Sequence, residues 1–164
     1  MSSSHMERAE IVGALSTSMR QTMVETVLLF GLLAQHIGIN ATDMQCLNIL
    51  DVEGPVPAGR LAELTGLTTG AITTTIDRLE KGGFVERVRD PKDRRRVVVR
   101  QLPSKQEGFG FFHTIYQQWI EHCAGYSDQE LAIVLDFLNT THPKNRALIG
   151  QLEASKMPHR RTSP

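Results

Sequence analysis

The stretch that decides the fold runs from Phe84 to Leu102, "FVERVRDPKDRRRVVVRQL". Val85–Arg89 mixes apolar and polar residues at close to the two-residue period of a strand half-buried on one face, and Arg96–Leu102, with three consecutive valines, is a second β-type run. Between them lies "DPKDR", where Asp and Pro supply turn geometry. The spacing predicts an antiparallel hairpin. From Arg87 to Arg100 it carries seven basic side chains against Asp90 and Asp93, a local net of +5. The whole chain is neutral, with 18 Lys and Arg against 18 Asp and Glu in 164 residues. Attraction to a polyanion is therefore local to this hairpin and not a property of the overall charge.

Working towards the N-terminus, "LTTGAITTTIDRLEKGG" predicts a helix opened by Thr68 as N-cap and closed by Gly82-Gly83. Ile72, Ile76 and Leu79 fall at i, i+4 and i+7 and form its buried stripe. Its other face carries Thr69, Gly70, Ala71, Thr73, Thr74 and Asp77, small and hydroxyl side chains that can approach base edges closely. Before it, "PAGRLAELTG" is a short helix with Leu61 and Leu64 as its apolar pair and Gly66 as its stop. Earlier still, "TDMQCLNILDVEG" starts on Thr42 and Gln45, spaced as a capping box, buries Leu47 and Leu50, and ends at Gly54-Pro55. Two short helices, a tight turn and a basic hairpin describe a winged helix-turn-helix. The helix from Thr68 fits a major groove about 12 Å wide, and the hairpin falls beside it on the backbone or the minor groove. A charged hairpin edge that resists sheet aggregation is the plainer reading of such an arginine run. Its place directly after a helix-turn-helix decides against that.

Long helices flank this unit. Ile11, Leu15, Met19, Met23, Val27 and Phe30 keep a helical repeat from Glu7 to about Ile37, and around Val24–Leu33 the apolar residues spread over nearly the whole circumference. Such a helix needs partners on several sides, which a second subunit supplies. After the hairpin, Pro103-Ser104 opens a long helix through "FGFFHTIYQQWIEH". "SDQE" at Ser127–Glu130 is a second capping box, and Pro143 kinks or breaks the last helical stretch. The expected organisation is a vector scar at 1–6, a dimerisation helix at 7–38, the DNA-binding domain at 39–102, dimerisation helices at 103–157 and a disordered tail at 158–164. The fold class is mainly α with a two-stranded wing.

The segment "LAELTGLTTGAITTTIDRLEKGGFVERVRDPKDRRRVVVRQL", Leu61–Leu102, resembles the core of the multiple antibiotic resistance regulator (MarR) family of bacterial transcription factors. The most specific part is "DRLEKGGFVERVRDPKDRRRVVV", with an Asp-x-Arg element at Asp93 and Arg95. The order of helices matches over almost the whole chain. Where the family has a Leu-Thr pair, this chain has Leu102-Pro103-Ser104, a departure that bears only on the start of the next helix. The resemblance implies an obligate homodimer with intertwined first and last helices, double-stranded DNA with a palindromic operator as partner, and a small aromatic or phenolic effector or an oxidant as signal. It also implies that Arg95 enters the minor groove and that Asp93 holds it, by a bond to its guanidinium. The expected DNA-facing set is Thr68, Thr69, Gly70, Ala71, Thr73, Thr74, Arg78, Arg87, Lys92, Asp93, Arg94, Arg95 and Arg96. His36, Gln45, Phe112, His113, Tyr116 and Trp119 are the candidate walls of an effector pocket.

Other chemistries lack a pattern. No nucleophile–base arrangement, paired carboxylate or phosphate-binding glycine loop points to an enzyme, and no cofactor is expected. His113 and His122 are nine apart, on opposite faces of a helix, so they cannot share a metal ion. Cys46 and Cys123 make no disulfide framework and fit a reducing cytoplasm. Cys46, beside inward-facing Leu47 and with no tyrosine near in sequence, reads as buried and inert, with a redox switch at Cys46 or Cys123 as the alternative. A winged-helix module that binds protein is the other. The longest apolar run, Val27–Ala34, is far short of the ~20 residues of a membrane span.

Overall fold

Ile72, Ile76 and Leu79 do fall on one face, each no more than 1 % exposed, and the core assembles around them. The structure is a computed structural model that describes residues 7–91, 93–103 and 109–155, without the side chains of 109–113 and 153. Residues 1–6, Lys92, the stretch 104–108 and the tail from 156 lie outside the described residues, and with them the expected scar, helix start and disordered tail. The elements are α1 (Arg8–His36), α2 (Ala41–Glu53), α3 (Ala58–Thr65), α4 (Thr69–Lys81), β1 (Val85–Arg89), β2 (Val97–Gln101), α5 (Phe109–Cys123) and α6 (Asp128–Ser155). The chain divides into two compact units, residues 1–112 and 113–164.

In the first unit, Cys46, Leu47 and Leu50 of α2, Leu61 of α3, the α4 stripe, and Phe84, Val85 and Val99 of the hairpin form one apolar cluster. Burial of each large member stabilises by about 1.5–3 kcal/mol. The hairpin pairs Val85 with Gln101 through Arg89 with Val97. Val56, in the α2–α3 loop, adds an antiparallel bridge to Val99, with N···O distances of 3.2 and 2.8 Å, and so ties the helix-turn-helix to the base of the wing. Gly66 ends α3 at φ 69°, and Gly83 turns α4 into β1 at φ 74°. Both are left-handed conformations that favour glycine.

Two expectations are corrected. Helix α2 does not start on Thr42. Asn40 is its N-cap, its Oδ1 accepting from the Asp43 amide at 2.8 Å while Asp43 Oδ2 accepts from the Asn40 amide at 3.4 Å. Of the kink or break expected at Pro143, the break does not occur, since α6 runs from Asp128 to Ser155 with Pro143 inside it. The hydroxyls of Thr140 and Thr141, in the turn before the proline, donate to the Phe137 carbonyl at 3.0 and 2.7 Å and support the helix there. The Ser127–Glu130 capping box forms as expected.

Of α1, only Leu33 and Ala34 are buried within the chain, while Val24, Val27 and Leu28 are each more than 60 % exposed. On α6, Ile133, Leu135, Leu148 and Leu152 are exposed as well. Among the described residues no single helix is long and apolar enough to cross a membrane; α1 and α2 together pass only as a pair bent by 107°.

Candidate nucleic-acid interface

Helix α4 is built to keep one face open. Thr68 Oγ1 accepts from the Ala71 amide at 3.3 Å and caps the first turn. The buried row takes Thr75 as well as the three apolar residues, which leaves Thr69, Gly70, Ala71, Thr73, Thr74 and Asp77 exposed. Thr73 and Thr74 donate their hydroxyls to the carbonyls of Thr69 and Gly70, at 2.8 and 3.1 Å. Their protons are thus engaged by the helix, and what they offer outward is a methyl group and oxygen lone pairs. These suit a thymine methyl or a base amino group. A Cβ built on Gly70 meets no heavy atom within 4 Å, so nothing inside the chain demands a glycine there.

Folding sorts the arginines of the hairpin into two groups. Arg87 on β1 turns back to α4, where its guanidinium pairs with Glu80 and, at 2.5 Å, with Asp77, and its amide donates to Glu80 Oε1 at 3.0 Å. Burial acts to lower the pKa of Arg87, and the hydrogen bonds to Asp77 and Glu80 more than reverse it, for a net rise. Arg100 pairs with Glu86, its direct cross-strand partner. Neither arginine is at the tip. Arg89, Arg94, Arg95 and Arg96 are exposed, and among the described residues no ion pair holds their guanidinium groups. The turn between them is closed by the Asp90 amide on the Arg96 carbonyl and the Arg96 amide on the Asp93 carbonyl, both at 2.9 Å. Asp93 Oδ1 accepts from the Arg95 backbone amide at 3.1 Å. Asp93 thus bonds the backbone that carries Arg95, and not, in this structure, its guanidinium.

A face of small side chains and a tip of unpaired arginines, joined through Arg87, thus stand on one compact unit. The sequence profile described as MarR family matches residues 39–97, from Ile39 before α2 to the first residue of β2. An uncharacterized HTH-type transcriptional regulator, YcgE of Bacillus subtilis (strain 168), is 36 % identical over 137 residues, 83 % of this chain and 89 % of that protein. The chain belongs to the MarR family. MarR-family proteins are DNA-binding transcriptional regulators and not enzymes, and this chain is one of them. Solved structures agree on the fold. A MarR family protein from Bacillus stearothermophilus superposes with a TM-score of 0.56 at 21 % identity, over 86 % of this chain and 99 % of that one. A transcriptional regulator from Thermotoga maritima gives 0.56 at 20 % identity, over 84 % and 98 %.

The other candidate residues of this MarR-family chain are placed less uniformly. Arg78 of α4, expected at the DNA backbone, has its guanidinium on Asp43 of α2. That hydrogen bond outweighs the effect of burial, and the pKa of Arg78 is raised. The pairing partners Asp43, Asp77 and Glu80 had no sequence signal, because the acid and base of each pair come together only on folding. Of the pocket candidates, His36 and Gln45 are exposed in the first unit, and Tyr116 and Trp119 are exposed in the second. The side chains of Phe112 and His113 lie outside the described residues. Trp119, His122 and Tyr126 form a chain of ring contacts with centroids 6.0 and 5.4 Å apart. No cluster of metal-ligating side chains occurs among the described residues. Cys46 is fully buried, and burial, with the charge of Asp43 adding to it against Arg78, pushes its thiol up to about 11. A thiol so placed is neither ionised nor reachable at neutral pH, which speaks against a switch at Cys46. Cys123 is half-buried.

Proposed function

We propose that this chain is a cytoplasmic, homodimeric repressor that occludes a promoter by binding a palindromic operator. Helix α4 enters the major groove of each half-site with Thr68, Thr69, Gly70, Ala71, Thr73 and Thr74. The wing lies alongside, with Arg95 in the minor groove and Arg94 and Arg96 near phosphates. The observation that carries this reading is the pairing pattern: Arg87 and Arg100 are neutralised within the fold, and the arginines of the tip are left for a ligand. A narrow minor groove concentrates negative potential, and an arginine side chain released from internal partners is suited to it. Dimerisation is supported by α1, about 43 Å long, whose apolar residues are nearly all uncovered by the chain itself. A two-fold axis then sets two α4 helices against half-sites one DNA turn, about 34 Å, apart. A small aromatic or phenolic effector that prefers a dimer with those helices at the wrong separation releases the DNA.

The test is to enrich duplexes from a random-sequence library with the full chain and measure their binding by fluorescence anisotropy. An inverted repeat should emerge, and Ala71→Glu or Thr74→Glu should abolish its selective binding with an unchanged circular dichroism spectrum. Selection of no common sequence by the parent protein, or undiminished binding by both variants, would remove α4 as the reading helix.

A further inference from the structure

Arg78 stands on α4 between the exposed reading face and the buried row, and its side chain runs inward to the first turn of α2. There Nε donates to Asp43 Oδ1 and Oδ2 at 3.1 and 2.8 Å, and Nη2 donates to Oδ1 at 2.5 Å. Thr75 Oγ1 lies 3.5 Å from Nη2. Asp43 Oδ2 also takes the Asn40 amide, at 3.4 Å. The carboxylate is 1 % exposed, and among the described residues no buried side-chain polar atom lacks a partner. Asp43 sits at the third residue of α2, where the positive end of the helix dipole also favours a carboxylate. A two-donor fork on a carboxylate fixes direction as well as distance. Here it fixes α4 against α2.

The same geometry bears on what Arg78 can do at DNA. For its Nε and Nη2 to turn to a phosphate, they must leave a carboxylate that has almost no contact with water. A buried charge stripped of its partner is strongly unfavourable, whereas an exposed phosphate contact gains little. We propose that Asp43 and Arg78 are a positioning pair that sets the angle at which α4 meets the base edges, and that Arg78 stays with Asp43 when DNA is bound. The proposal rests on α4 being the reading helix.

The experiment compares the full chain with Asp43→Asn and Arg78→Lys on two probes: a duplex enriched by the parent from a random library, and a scrambled duplex of the same composition. Each affinity is measured across a salt series. Asparagine keeps the shape of Asp43 and its place in the cap but lacks the charge, and lysine keeps the charge of Arg78 but lacks the fork. Both variants should lose about tenfold or more on the enriched duplex, the scale of one lost specific contact, with little change on the scrambled one. The salt slopes should stay as in the parent. A phosphate-binding Arg78 gives other results. Asp43→Asn would then free a cation, tighten both duplexes and steepen the slope by about 0.9 per new phosphate contact, and Arg78→Lys would bind as the parent does. Either result overturns the proposal. So does an equal loss on both duplexes, which marks a general loss of structure. If thermal unfolding shows Asp43→Asn to be unfolded, Arg78→Lys decides alone. A parent that enriches no duplex refutes the reading helix itself, and the positioning pair with it.

Discussion

Replacing Asp93 by alanine separates a positioned arginine from a merely basic tip, because the two accounts predict opposite signs. In the structure the Asp93 carboxylate accepts the Arg95 amide at 3.1 Å, while the turn is closed by backbone bonds that alanine keeps. The hairpin should survive the change, and the backbone under Arg95 should loosen. An exposed hydrogen bond of this kind contributes about 1 kcal/mol. With two wings acting in the proposed dimer, specific binding should weaken by about 2 kcal/mol, roughly thirtyfold. The competing effect is the loss of one negative charge per wing. At about 10 Å from a phosphate in water that charge costs about 0.4 kcal/mol, and screening with a Debye length of about 8 Å reduces it further. The structural effect is therefore the larger one. Asp93→Asn keeps an acceptor oxygen and loses the charge, so it should bind as well as the parent or slightly better. Fluorescence anisotropy on the enriched duplex at two salt concentrations reads both variants. Equal or tighter binding by Asp93→Ala would refute the argument and leave the wing as a diffuse patch of positive charge.

Gly70→Ala should stabilise the fold by about 0.5–1 kcal/mol, since glycine is a poor helix former and the site is open, yet weaken selective DNA binding; a gain in both would show that the close approach at Gly70 is not used. Cys46 should resist alkylation at pH 8 in the folded protein, and fast labelling would contradict its burial. Because its folded pKa of about 11 lies above the ordinary value of 9.0, its contribution is complete below about pH 9 and lost as pH rises towards 11. Stability should fall by up to about 2–3 kcal/mol across that window, and Cys46→Ala, followed by denaturant melts, should flatten this part of the profile. Light scattering should give twice the chain mass of 18.3 kDa, with Val27→Glu shifting the population towards monomer; a monomeric parent at micromolar concentration would end the palindrome argument.

What could be read from the chain alone was whatever short-range physics decides. The stripe of Ile72, Ile76 and Leu79, the Thr68 cap, the stops at Gly66 and Gly82-Gly83, and strand Val85–Arg89 depend on residues within a turn or two of each other, and all appear as expected. The resemblance to the MarR family rested on the same contiguous segment. Tertiary structure decided where local signals tied or were silent. Asn40–Asp43 and Thr42–Gln45 are both spaced as capping boxes, and nothing nearby chooses between them. Arg78, 35 residues on, needs Asp43 at the third residue of the helix, facing the core, while Gln45 is exposed. Pro143 carries a breaking signal, yet the helical turns on both sides keep α6 in one piece. The charge of the hairpin was legible as a sum but not as a distribution. Asp77 and Glu80 reach Arg87 only after β1 folds back along α4, and Glu86 reaches Arg100 only through the strand register. An ion pair joins residues that are near in space, and sequence distance does not record that, so only the fold could tell which arginines were already spoken for and which, among the described residues, had no internal ion pair.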